Sequence, residues 1–298
     1  MYLCFDVGGT FVKYGVFDEQ GQLQLESKRP TALNSKADFL ADLVAIYHRL
    51  AQQYSLTGIG ISFPGFIDSQ KGQALLAGAI DILHGENIVA LLGEAIGQPD
   101  LPIALGNDAN CAAIAEQYAG SAQKITDFCL ITLGTGIGGA LVQNGEIYEG
   151  SHFRAGEFGM MVCDFTQEGY KTLHELASTS ALVTRYRQAM GWSAEKKISG
   201  EEIMADTSEV AKEVKKTWSD YVAVTIFNMV AQFDPALVLL GGGISQNPAL
   251  LPLVKDALAR NPYWKDFQTE IDTCHFYNQS GLIGAYYLIS KLERKQLQ

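Results

Sequence analysis

Leu3-Cys4-Phe5-Asp6-Val7-Gly8-Gly9-Thr10-Phe11-Val12-Lys13-Tyr14-Gly15-Val16-Phe17 reads as a strand, a tight glycine turn and a second strand. Asp18-Glu19-Gln20-Gly21 turns the chain again into Gln22-Leu23-Gln24-Leu25, which alternates with period two. Gly8 and Gly9 let backbone N–H groups approach a phosphate closely. Thr10 adds a hydroxyl, Lys13 a cation, and Asp6 a carboxylate suited to Mg²⁺ or its waters. By itself the motif fits either a phosphate cradle or an ordinary β-hairpin turn.

The pattern returns further along. Phe128 to Leu133 is an apolar strand, Gly134-Thr135-Gly136-Ile137-Gly138-Gly139 a glycine turn, and Ala140-Leu141-Val142 a second strand. Asn144-Gly145 then suits the positive φ of a type I′ turn before Glu146-Ile147-Tyr148. Leu3–Leu25 and Phe128–Tyr148 are thus two copies of one unit. Two glycine hairpins, one per half, are suited to gripping a polyphosphate, which is harder to explain as two unrelated turns.

Between the copies lies Gly106-Asn107-Asp108-Ala109-Asn110-Cys111. The strand-like Pro102 to Leu105 leads in, and the helix-like Ala109 to Tyr118 leads out. Asn107 and Asp108 therefore sit where a strand meets a helix. There an Asp is either an N-cap or a carboxylate placed for general-base chemistry. Ile59 to Phe63 is another strand, ended by Pro64-Gly65, a cleft wall or a turn. Asn34 or Ser35 caps a helix over Lys36–Tyr54, and Asn87 caps one that ends at Gly97. Ser199-Gly200-Glu201-Glu202 is a capping box. Val210 to Phe233 is a long helix whose Trp218 and Met229 stripe is core. Ala236 to Leu240 is a buried strand running into Gly241-Gly242-Gly243-Ile244, and Gly281 to Leu297 is a closing helix.

The chain has 298 residues, room for about two domains. We expect residues 1–118 with the helix 281–298 to form a smaller α/β domain and 119–280 a larger one. A net charge of −11 disfavours a nucleic-acid surface but not a nucleotide site built on backbone N–H groups. No apolar run is long enough to span a membrane, and the N-terminus does not read as a signal peptide. Five scattered cysteines without a C-x-x-C pair suit buried thiols in a reducing cytoplasm.

Taken together, these motifs resemble the ROK family of sugar kinases, within the two-domain actin/hexokinase-like (ribonuclease H-like) ATPase fold with a central cleft. Asp6-Val7-Gly8-Gly9-Thr10 through Lys13 looks like its first phosphate motif, Leu133 to Gly139 like the second, and Gly241-Gly242-Gly243-Ile244 like the adenosine motif. Asn107-Asp108-Ala109-Asn110 and Ala155-Gly156-Glu157-Phe158-Gly159 look like its sugar segments. The resemblance implies Asp108 as the catalytic base. It implies a sugar site of Asn107, Asp108, Glu157, Gly65, Gly78 and His174. It also implies ATP at Gly8, Gly9, Thr10, Lys13, Thr132, Gly134, Thr135, Gly136, Gly138, Gly139, Gly242 and Gly243, with Mg²⁺ at Asp6.

Two departures stand out. Met160 follows Gly159 where the family has a histidine that ligates zinc, and only Cys163 lies where its cysteine-rich zinc loop runs. No zinc site is expected. In Leu173-His174-Glu175-Leu176-Ala177-Ser178, His174 takes the place of a sugar-contacting Glu, with Glu175 one step away and the inward-pointing residue undecided. Altered contacts near the sugar C1 and C2 leave room for a substituent at C1. Together with Phe153 to Gly159 and Gly78-Ala79-Ile80, they make the β-glucoside kinase branch the best match. That branch phosphorylates the 6-hydroxyl of the non-reducing glucose of a β-glucoside such as cellobiose. Glucokinase, N-acetylmannosamine kinase and a non-catalytic sugar sensor are the alternatives. The resemblance also implies a homodimer. The family's repressors carry an N-terminal DNA-binding region, for which no room is expected ahead of Asp6.

Overall fold

The computed structural model describes residues 1–166 and 169–296, so Leu297 and Gln298 of the expected closing helix lie outside the described residues. The elements, in chain order, begin with β1 (Tyr2–Val7), β2 (Phe11–Phe17), β3 (Leu23–Pro30), α1 (Lys36–Ala51), β4 (Gly58–Phe63), β5 (Phe66–Asp68) and β6 (Gln73–Leu76). Next come α2 (Ile88–Ala95), β7 (Ile103–Asn107), α3 (Asp108–Ala119), β8 (Phe128–Leu133), β9 (Ile137–Gln143), β10 (Glu146–Ile147), β11 (Val162–Asp164) and β12 (Lys171–Thr172). The chain finishes with α4 (Leu173–Ala177), α5 (Thr179–Ala189), α6 (Gly200–Ala205), α7 (Glu209–Phe233), β13 (Leu237–Gly241), α8 (Leu250–Ala259), β14 (Glu270–Thr273) and α9 (Ser280–Gln296).

The chain divides into two compact units. One comprises Met1–Tyr118, Gly150–Arg154 and the segment from Gln279 onward; the other comprises Ala119–Glu149 and Ala155–Asn278. Gly150–Arg154 goes with the first unit, where the Arg154 guanidinium lies 5.4 Å from the centre of the Phe66 ring.

The first unit is built on a five-stranded sheet ordered β3-β2-β1-β4-β7. β1 to β3 run antiparallel, and β1, β4 and β7 run parallel. Period-two alternation sends Leu3, Phe5 and Val7 into a core shared with Phe39 and Leu43 of α1 and with Leu92 of α2. Tyr2 and Cys4 face the other way, onto Leu282, Ala285, Tyr286 and Ile289 of α9. That helix packs close because glycines face it: a methyl group at Gly60 would collide with the Ala285 carbonyl, and one at Gly284 with the Cys111 carbonyl.

The second unit repeats the plan. Its five-stranded sheet is ordered β10-β9-β8-β13-β14, again three antiparallel strands followed by parallel neighbours. The duplication thus extends from the hairpins to whole sheets. β4 and β7 in one unit occupy the sheet positions of β13 and β14 in the other. Trp218, Val222, Ile226 and Met229 of α7 are buried in its core, as their spacing predicts. The Trp218 indole N–H donates to the Ala177 carbonyl at 2.8 Å. Asn144 (φ 53°) and Gly145 (φ 76°) form the expected left-handed turn. No described helix is long and apolar enough to cross a membrane.

Candidate active site

In the first unit the β7–α3 junction carries Asn107 and Asp108. The Asn107 Oδ1 accepts from the Asn110 N–H at 3.0 Å, so Asn107 is the helix cap. Its Nδ2 donates to the Gly65 carbonyl at 2.9 Å and to Oδ1 of Asp108 at 3.0 Å. Gly65 (φ +96°) and Gly78 (φ +52°) lie against each other, since a methyl group at 65 would stand 2.7 Å from the Gly78 nitrogen. The two loop glycines named from the sequence therefore belong to one corner, and Gly65 anchors Asn107 through its carbonyl.

Oδ1 of Asp108 also accepts from the Ala109 N–H at 2.8 Å. The residue is exposed, yet the protein atoms crowded around its carboxyl push its pKa up to about 6. Desolvation is the largest cause. The Ala109 N–H opposes it, the charge of Asp6 adds to it, and the Asn107 amide opposes it. A carboxylate with that pKa is ionised at neutral pH and basic enough to take a proton.

At the β1–β2 turn the Gly8 N–H donates to the Phe11 carbonyl at 3.0 Å, and the Thr31 hydroxyl donates to the Gly8 carbonyl at 2.6 Å. Gly9 lies against Ala79, and Thr10 is exposed. Lys13 pairs with Oδ2 of Asp6 at 3.2 Å. Sequence reasoning missed two residues around Asp6. Ser62, buried on β4, donates to its Oδ1 at 2.9 Å. Gly281, in the first turn of α9, leaves the space that its carboxylate fills.

In the second unit the β8–β9 turn is pinned from inside. The Gly134 N–H reaches the Gly136 carbonyl at 2.9 Å, and the Gly138 N–H reaches the Thr132 hydroxyl at 3.1 Å. The Ile137 N–H donates to Nδ1 of His174 at 3.3 Å, and any side chain at Gly136 would strike the His174 ring. Glu175 turns elsewhere. It accepts from Lys171 at 2.8 Å and from the Thr172 N–H at 3.0 Å, and these contacts hold its pKa down to about 2. Of the pair left undecided by sequence, His174 is the one against the turn. Gly139 and Gly159 bring the loop carrying Glu157 onto β9: a side chain at 139 would meet Phe158, and one at 159 the Ile137 carbonyl. Glu157 is half-buried there.

Beside this turn is a cavity of about 430 Å³ bordered by Gly134 and Thr135, Thr179 and Val183 of α5, and Gly200 and Gly243. The Thr179 N–H donates to the Gly134 carbonyl at 2.9 Å, which seats the start of α5 on the turn. Gly242 (φ +88°) backs onto Leu133, while the space beside Gly243 is open. Gly134, Thr135 and Gly243 thus come together. The α5 lining carried no motif and was not legible in the sequence.

A duplicated five-stranded sheet with a glycine turn in each copy is the mark of the actin/hexokinase-like class. Comparison with known proteins agrees. The ROK family model matches residues 2–292. A β-glucoside kinase of Klebsiella pneumoniae is 34% identical, covering 98% of this chain and 96% of its own. One from Listeria innocua is 33% identical, covering 95% of each. A ROK family protein from Streptococcus pneumoniae, solved in complex with sucrose, superimposes with a TM-score of 0.86 at 27% identity, covering 100% of this chain and 99% of that one. The chain belongs to the ROK family, and within it falls with the sugar kinases.

Proposed function

We propose that this protein transfers the γ-phosphoryl group of ATP to the 6-hydroxyl of a glucose unit whose C1 bears a β-linked substituent, as in cellobiose. The observation that carries the phosphotransfer is Asp108, a carboxylate freed from capping by Asn107 and raised to a pKa of about 6. As O6 attacks the γ-phosphorus, Asp108 accepts the hydroxyl proton while the bond to ADP breaks. Asn107 and Glu157 hold ring hydroxyls and set the angle of attack. Backbone N–H groups of the turns at Gly8–Thr10 and Gly134–Gly139 stabilise charge on the phosphates. Asp6, a single carboxylate, fits Mg²⁺, which takes one or two protein carboxylates and completes its shell with phosphates and water. Bound Mg²⁺ would neutralise charge on the nucleotide phosphates.

The β-glucoside reading is supported by the names of two relatives, and a substituent at C1 also by the sucrose held by the pneumococcal protein, a disaccharide whose glucose is α-linked through C1. A coupled assay of ADP release over glucose, cellobiose, methyl β-glucoside, sucrose and N-acetylmannosamine tests it. The expected result is a higher kcat/KM for cellobiose or methyl β-glucoside than for glucose, with the product phosphorylated at O6. Preference for glucose or N-acetylmannosamine overturns the specificity, and absence of turnover with every sugar overturns the enzymatic reading.

A further inference from the structure

Next to the cavity at Gly134, Thr135 and Gly243, to which we assign the nucleotide, α4, α5 and α7 of the second unit border another cavity, of about 550 Å³. Its charged residues are Lys171, Glu175 and Arg185, with His174, Gln188 and Tyr221 beside them. Glu175, the one carboxylate among the described residues of this wall, is committed to Lys171 and to the Thr172 N–H. Among the described residues the charge of Lys171 is therefore balanced, and that of Arg185 is not.

Arg185 is half-buried, with its guanidinium 5.7 Å from the centre of the Tyr221 ring. Among the described residues it makes no salt bridge, and its Nε is the one buried side-chain polar atom without a hydrogen-bond partner. A buried N–H on a cation is costly to leave unmet. The planar guanidinium fork matches a two-oxygen acceptor. Gln188, one turn along α5 from Arg185, adds an amide donor on the same wall.

We propose that this cavity is a second ligand site, which binds the oxyanion group of a small molecule, a phosphate or a carboxylate, on Arg185. It is distinct from the nucleotide cavity, where Arg185 takes no part, although Thr135, Ser180 and Thr184 border both. The site stands apart from the choice of sugar: it follows from Arg185 and the cavity, and survives if the protein prefers glucose.

Calorimetric titration with inorganic phosphate and, separately, with malonate tests it, on the full chain saturated with ADP and Mg²⁺ so that the nucleotide site is filled. Wild type is expected to bind one equivalent of at least one of the two. Phosphate alone identifies a phosphate site, and malonate as well, or alone, identifies a site that accepts carboxylates. Arg185→Met should weaken binding about tenfold or more, leaving KM for ATP within about twofold. Gln188→Glu, an exposed position that places a carboxylate beside Arg185, should do the same without disturbing the Tyr221 contact, and so reads the site even where Arg185→Met fails to fold. In wild type the ¹⁵N and ¹H shifts of the Arg185 Nε–H should move on saturation. Failure of both anions to bind saturably in the tens of millimolar, or binding unchanged in both variants, overturns the proposal.

Discussion

The Asn107 Nδ2 donates to Oδ1 of Asp108 at 3.0 Å, while the Asn107 Oδ1 caps helix α3 by accepting from the Asn110 N–H, also at 3.0 Å. Neighbouring residues have divided two tasks that either could perform. Asn107 satisfies the helix end, and Asp108 keeps a carboxylate for chemistry.

Asp108→Asn should therefore lower kcat by about 10²–10⁴ for loss of a general base, with sugar affinity largely retained. Steady-state rates together with a sugar-binding titration check this. A variant with full turnover would remove Asp108 from the mechanism.

The same carboxyl predicts two pH effects. In wild type, kcat/KM should fall on the acid side with an apparent pKa near 6, as the base is protonated. For stability the sign is reversed from that of a salt-bridged acid. The folded pKa lies above the ordinary value of 3.8, so the native state holds the proton more tightly and ionisation costs stability as pH rises through the window between them. Asp108→Asn should melt higher than wild type at pH 7.5, by roughly 1–4 °C. The difference should shrink as pH falls below about 6 and vanish near pH 3, where the Asp side chain is neutral in both the folded and the unfolded chain. Melting curves across pH 3–8 decide it (an unchanging difference would contradict the shift).

His174 supports the second glycine turn through one acceptor, Nδ1. Replacing it with Ala should raise KM for ATP about 2–10-fold, the value of one modest hydrogen bond, with KM for sugar little changed. His174→Asn, whose Oδ1 can stand near the position of Nδ1, should recover most of the loss. A rise in the sugar KM instead would make His174 a sugar contact, the role its place in the family pattern implies.

Asp6 is seated by Gly281. Gly281→Ala would push the carboxylate aside, a forced overpacking that costs about 1–3 kcal/mol. If Asp6 serves Mg²⁺, this variant should need more Mg²⁺ for half-maximal rate and lose roughly tenfold or more in kcat. A magnesium titration compared with that of Asp6→Asn checks it, and an unchanged requirement in both variants would argue against the metal role.

Much of this was legible because it is local. The strand start at Leu3 to Phe5, the Asn144-Gly145 turn and the Ser199–Glu202 capping box each depend on a few adjacent residues. The Asn107-Asp108 junction was legible as a strand end meeting a helix start, though not which residue would cap. α5, α8 and β14 carried no such local signal. They are held by what they pack against: β14 by its parallel pairing with β13, and α5 by the Thr179 bond to Gly134.

Sequence by itself thus determined the duplicated strand–glycine–strand plan and the residues on its turns, since backbone periodicity and glycine stereochemistry act over neighbours along the chain. Only the tertiary structure decided that His174 rather than Glu175 meets the second turn, that Ser62 and Gly281 surround Asp6, and that Arg185 makes no salt bridge among the described residues. Those contacts join segments far apart in the chain, as Ser62 and Asp6 are across 56 positions, and the packing of sheets and helices alone brings them together.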